Sequence, residues 1–78
     1  MNRSELVGIY PGSFDPVHLG HVDLVRRAAR ISDRLIVAVL DNAAKTSLFS
    51  VEQRLELLRP ALTGIPGVEI SKIGRAHV

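Results

Sequence analysis

Two periods alternate in the placement of apolar residues along this chain, and the points where one gives way to the other mark its elements. Leu6-Val-Gly-Ile-Tyr10 is a short strand-like run, and Arg34-Leu-Ile-Val-Ala-Val-Leu40 is nearly continuous, as expected of a parallel strand covered on both faces. Between them, from around His21 to Ile31, Val22, Val25 and Ala29 recur at helical spacing, with Leu24, Ala28 and Ile31 on the flank. Arg26, Arg27 and Arg30 fall elsewhere on that helix and read as a solvated face. A second helix is predicted from Ser50, whose hydroxyl can accept from the first turn while Gln53 reaches back; Val51, Leu55, Leu58 and Leu62 form its apolar stripe. Pro60 lacks an N–H and crowds the preceding turn, which predicts a kink or an early end near Arg59. Gly64 to Gly67 reads as a turn and Val68-Glu69-Ile70 as a third strand.

The order β-α-β-α-β specifies an α/β chain. Right-handed crossovers place both helices on one face of a parallel sheet ordered 3-2-1, with the loops that follow the first two strands at the carboxyl edge, where such folds bind ligands. The other face is left apolar and bare, so the 78-residue chain by itself is expected to be marginal or aggregation-prone. Open nucleotide-binding sheets of this kind use roughly five strands and well over ~100 residues, so the pattern reads as the first half of a Rossmann-like domain.

The candidate chemistry lies in the first of these loops, Gly12-Ser-Phe-Asp-Pro-Val-His-Leu-Gly-His21. Two imidazoles flank a glycine where a strand gives way to a helix, and a helix amino terminus favours anions through its free N–H groups and dipole. Gly12 and Gly20 are expected to allow close ligand approach and positive φ, and Pro11 and Pro16 to stiffen the loop. Asp15 reads first as a structural residue that accepts from a loop N–H. His18 and His21, three apart, share one side if both are near-helical. Metal ligation is disfavoured: there is no cysteine, and the third histidine, His77, lies in the tail.

With these residues in view, Tyr10-Pro-Gly-Ser-Phe-Asp-Pro-Val-His-Leu-Gly-His21 resembles the first signature of the nucleotidyltransferase superfamily, which carries a (His/Thr)-x-Gly-His motif. Lys45-Thr-Ser-Leu-Phe-Ser-Val-Glu-Gln-Arg54 resembles the Lys-Lys-Pro-Leu-Phe-Ser-Leu-Glu-Glu-Arg segment of the bacterial phosphopantetheine adenylyltransferase family. The likeness runs over roughly residues 6 to 71, and two motifs at the family's spacing are far more specific than one. His18 stands where that family often has threonine, Thr46 replaces a second lysine and Gln53 an acid. Histidine at position 18 is similar to the nicotinate or nicotinamide mononucleotide adenylyltransferases, which form the alternative reading.

The resemblance implies an enzyme of coenzyme A synthesis that transfers an adenylyl group from ATP to 4′-phosphopantetheine, giving dephospho-coenzyme A and pyrophosphate, with the 78-residue chain itself inactive. It implies His21 as the catalytic residue, ATP contacts at Ser13, Phe14, His18 and His21, and substrate contacts at Ser13 and Lys45. Magnesium is implied as a companion of ATP, with no protein metal ligand. A homo-oligomer, hexameric in the family, and a cytoplasmic location are implied too.

Residues 1–71 read as a truncated nucleotidyltransferase domain. Residues 72–78 depart from the family's continuation and resemble a translated sequencing adapter, so they are expected to be a non-native read-through tail. Without Lys72 and Arg75 the 10 basic residues fall to 8 and balance the 8 acidic ones, which removes the case for general nucleic-acid binding. A small interaction or nucleic-acid module using Arg26, Arg27 and Arg30 is the non-enzyme reading, served by neither the apolar strands nor the double-histidine turn. No stretch approaches the ~20 apolar residues of a membrane span.

Overall fold

The computed structural model describes residues 4–41 and 47–74. Strand β1 (Val7–Gly12), helix α1 (Leu19–Ile31), strand β2 (Arg34–Leu40), helix α2 (Val51–Leu62) and strand β3 (Val68–Ile73) follow in that order. The sheet is parallel with β2 in the centre, the 3-2-1 order expected from the sequence. Gly8, Tyr10 and Gly12 pair with Leu35, Val37 and Val39, which pair in turn with Val68, Ile70 and Lys72.

That register puts Leu35, Val37 and Val39 on one face, where Val22 and Val25 of α1 and Leu58 and Leu62 of α2 close over them to form the core. Both helices therefore lie on one side. The opposite face presents Val7, Ile9, Leu40 and Ile73, each more than a third exposed. The expectation that β2 is covered on both faces holds only in part: Ala38 on the open side is buried, whereas Ile36 is half-buried.

Several boundaries shift for physical reasons. β1 continues through Pro11 and Gly12; it lies at the edge of the described sheet, where a missing N–H on the open side costs no ladder bond. Helix α2 does not stop at Arg59 but runs through Pro60 to Leu62, whose side chain is buried. The proline falls in the last turn, and there the Thr63 hydroxyl donates to the Arg59 carbonyl and the Thr63 N–H to that of Pro60. β3 extends beyond Ile70, with Lys72 and Ile73 pairing with Val39 and Leu40. Residues 75–78 lie outside the described residues.

Candidate functional site

The turn between β1 and α1 is built around three rings. Phe14 is buried, with its backbone in the left-handed region at φ 49°, an uncommon state for a bulky residue. Its ring meets Tyr10 edge-on at 5.2 Å and His21 edge-on at 4.9 Å, so it forms the floor on which His21 rests. A Cβ on Gly12 would come within 3.0 Å of this ring. Gly12 is therefore required for space; the positive φ expected of Gly12 and Gly20 belongs instead to Phe14, Gly64 and Gly67. Because the Phe14 side chain faces the core, what it can offer a nucleotide is its main chain.

His18 and His21 cap the helix reciprocally. α1 begins at Leu19, two residues earlier than its apolar spacing predicts, and His18 is its extended N-cap at φ −137°. His18 Nδ1 accepts from the Gly20 N–H at 3.0 Å, and His21 Nδ1 accepts from the His18 N–H at 3.0 Å. The rings stack with centroids 3.7 Å apart. They share one side, as the spacing suggests, though through a capping geometry with His18 outside the helix. The expectation of a fully open helix terminus is also revised: the Gly20 N–H goes to an imidazole, and the N–H groups of His21 and Val22 go to the His18 carbonyl.

This arrangement fixes the chemistry of both rings. A nitrogen that accepts from N–H carries no proton, so each neutral imidazole bears its hydrogen on Nε2, across the ring from the backbone. Burial, and then the neighbouring His18, hold the His21 pKa below the usual histidine value. The product is a pair of stacked N–H donors, held by main chain and suited to anionic oxygens. Gly20 is part of the device, since a Cβ there would lie 2.8 Å from His18 Cε1.

Asp15 and Arg54 join this turn to the segment that leads into α2. The Asp15 carboxylate accepts from the N–H groups of Leu48 at 2.7 Å and Phe49 at 2.9 Å. Its role is structural, but these bonds run to the segment that leads into α2 and not within the turn it was expected to shape. Arg54, 3% exposed, donates from Nη1 to the carbonyls of Ser13 at 2.8 Å and Leu40 at 3.0 Å. Its Nε donates to those of Phe49 at 3.2 Å and Ser50 at 3.3 Å. Hydrophobic periodicity gave this residue no role, although its position three after Val51 and four before Leu58 puts a polar group on the buried stripe.

Ser13, Phe14, His18 and His21 thus converge at the carboxyl end of β1. Lys45 lies outside the described residues. Among the described residues no group of three His, Cys, Asp or Glu side chains could hold a metal ion. Arg27 pairs with Asp23 at 2.9 Å on the exposed face of α1. Concavities of about 340 and 390 Å³ meet around Gly64 and Ile65, at the end of the sheet opposite the histidines.

The profile of a family described as cytidylyltransferase-like matches residues 9–74. Among curated proteins, the phosphopantetheine adenylyltransferase of Lachnoclostridium phytofermentans is 55% identical over 64 residues, covering 82% of this chain and 39% of the relative. That of Nostoc punctiforme is 55% identical over 65 residues, covering 83% and 36%. That of Caldanaerobacter subterraneus subsp. tengcongensis is 56% identical over 64 residues, covering 82% and 40%. The chain spans about two fifths of the length of these relatives.

Proposed function

Because this chain belongs to the cytidylyltransferase-like family, we propose that the whole protein is a nucleotidyltransferase that moves an adenylyl group from ATP to 4′-phosphopantetheine in coenzyme A synthesis. The observation that carries this reading is the stacked pair of imidazoles, each with Nδ1 bonded to main chain and Nε2–H left for a ligand. Relatives over half identical and named phosphopantetheine adenylyltransferase support the choice of acceptor.

In this reading the acceptor phosphate oxygen attacks the α-phosphorus of ATP. A new P–O–P linkage forms, the α–β anhydride bond breaks, and pyrophosphate leaves with the bonding pair. A phosphate monoester has a second pKa near ~6, so the nucleophile is largely dianionic at neutral pH and needs little help from a base. The protein's task is to align two mutually repelling anions and to stabilise charge on the α-phosphate. His21 donates from Nε2 to an α-phosphate oxygen, His18 donates to the triphosphate, Ser13 lies beside both phosphates, and Lys45 meets the acceptor phosphate. Magnesium would enter as a companion of ATP and would offset the charge of the triphosphate.

His18 in place of threonine does not by itself favour a mononucleotide acceptor. Its side chain serves as an N-cap acceptor, a task that a threonine hydroxyl also performs. A homo-oligomer and a cytoplasmic location belong to the same proposal. No helix among the described residues is long and apolar enough to cross a membrane.

The test is turnover by the full-length protein with ATP and either 4′-phosphopantetheine or nicotinate mononucleotide, read as pyrophosphate release and product mass. Dephospho-coenzyme A as the product supports the proposal. A dinucleotide product transfers the assignment to the mononucleotide enzymes, and no release with either acceptor overturns it.

A further inference from the structure

We propose that Arg54 is a positioning residue for adenylyl transfer, one that sets the geometry of the phosphate-side turn through main-chain carbonyls without touching substrate. The inference rests on the function proposed above. Its basis is a guanidinium that is 3% exposed, donates to four carbonyls and has no carboxylate partner among the described residues.

The four carbonyls belong to three separate places in the chain. Ser13 follows β1, Leu40 ends β2, and Phe49 and Ser50 lead into α2. One planar fork therefore fixes the carboxyl ends of adjacent parallel strands and the start of the next helix. Only arginine offers several donors in a rigid plane; a lysine would supply the charge without the geometry. A buried cation with no carboxylate beside it among the described residues is costly to desolvate, and the four carbonyls offset that cost only if the guanidinium meets them together. The carbonyl set thus points to geometry and retained positive charge as what this position provides.

The consequence reaches the site through the Ser13–Phe14 peptide. Its carbonyl is drawn toward Arg54, and in a planar trans peptide the N–H points the opposite way. The N–H of Phe14, the residue held at φ 49° whose ring supports His21, thereby points away from the Arg54 guanidinium. Phe49 is gripped at both ends, its N–H by Asp15 and its carbonyl by Arg54, so the same guanidinium holds both the Leu40 and the Phe49 ends of the segment that carries Lys45.

The experiment uses the full-length protein with Arg54→Gln and Arg54→Lys, read by amide hydrogen exchange without substrate and by steady-state kinetics with ATP and 4′-phosphopantetheine. Arg54→Gln is expected to raise exchange at least tenfold across residues 13–15 and 48–50 and to leave residues 24–30 unchanged. kcat is expected to fall at least thirtyfold, with KM for ATP within about threefold. Arg54→Lys should lie between the two, and it carries the test if Arg54→Gln does not fold. A folded variant with wild-type exchange and with kcat within threefold of wild type overturns the proposal, as does uniform loosening of the whole chain. If the wild type shows no transfer, the function falls on its own account, while the exchange pattern still decides whether Arg54 anchors the turn.

Discussion

His18 and His21 each hold the other's place: the His18 N–H donates to His21 Nδ1, and His18 Nδ1 accepts from Gly20 across a 3.7 Å ring stack. A proton on either Nδ1 would turn an acceptor into a donor facing a donor, beside the positive end of a helix dipole. The cap is therefore a device of the neutral state.

This gives a pH dependence with a definite sign. The folded pKa of His21 is lowered by burial and by His18, so protons bind the unfolded chain more readily. Its contribution to stability is complete above the unfolded value of 6.5 and is lost as pH falls through the lower folded value. Protection of the His18 amide in the full-length protein, which His21 Nδ1 holds, should fall below about pH 6.5 relative to amides in the middle of α1, once the intrinsic slowing of exchange with falling pH is divided out.

His21→Ala removes a donor whose charge stabilisation is needed most in the transition state. In the full-length enzyme kcat should drop by about 10² or more, roughly 2.7 kcal/mol, with little change in KM for ATP. A matching rise in KM alone would identify His21 as a ground-state binding residue.

Gly20→Ala separates stability from function. The new Cβ would fall 2.8 Å from His18 Cε1 and 3.0 Å from Nδ1, so the ring must swing off its Gly20 bond and out of the stack. Loss of a cap costs about 1 kcal/mol, and the helix preference of alanine over glycine returns a similar amount. Thermal unfolding should shift little, whereas ATP affinity, measured by titration calorimetry, should weaken several-fold.

Asp15→Ala leaves the Leu48 and Phe49 N–H groups without their carboxylate. Two charge-assisted bonds at a partly exposed site suggest a loss of about 1.5–3 kcal/mol, at the lower end because water reaches Leu48. Urea unfolding of the full-length variant measures it; an unchanged midpoint would mean that water replaces the carboxylate at no cost.

Lys45→Ala should raise KM for 4′-phosphopantetheine by about tenfold to a hundredfold, the worth of one charge-assisted contact to a dianion, and leave ATP affinity nearly intact. Lys45→Arg should restore only part of it, because a planar fork places its charge differently. An acceptor lacking the phosphate should bind wild type and variant alike. Loss of ATP affinity with an unchanged acceptor KM would assign this loop to the nucleotide.

The element order, the parallel sheet and the placement of both helices on one face were legible in the sequence. Apolar spacing is a local signal, and crossover handedness leaves few topologies for β-α-β-α-β. The turn that carries Ser13, Phe14, His18 and His21 was legible as a junction between strand and helix, because it is contiguous in the chain. What tertiary structure decided depends on pairs distant in sequence or on side-chain direction. Helix spacing could not show that His18 stands outside α1 and still stacks on His21, since a cap bond, and not a shared helical face, brings the rings together. Pro60 did not end α2, because packing of Leu62 outweighed a single missing N–H. Arg54 entered the reading of the sequence only as the last residue of the segment that starts at Lys45. Only when the ends of β1 and β2 came within reach of its side chain did residues 41 and 14 positions away make it the buried donor that unites the two loops.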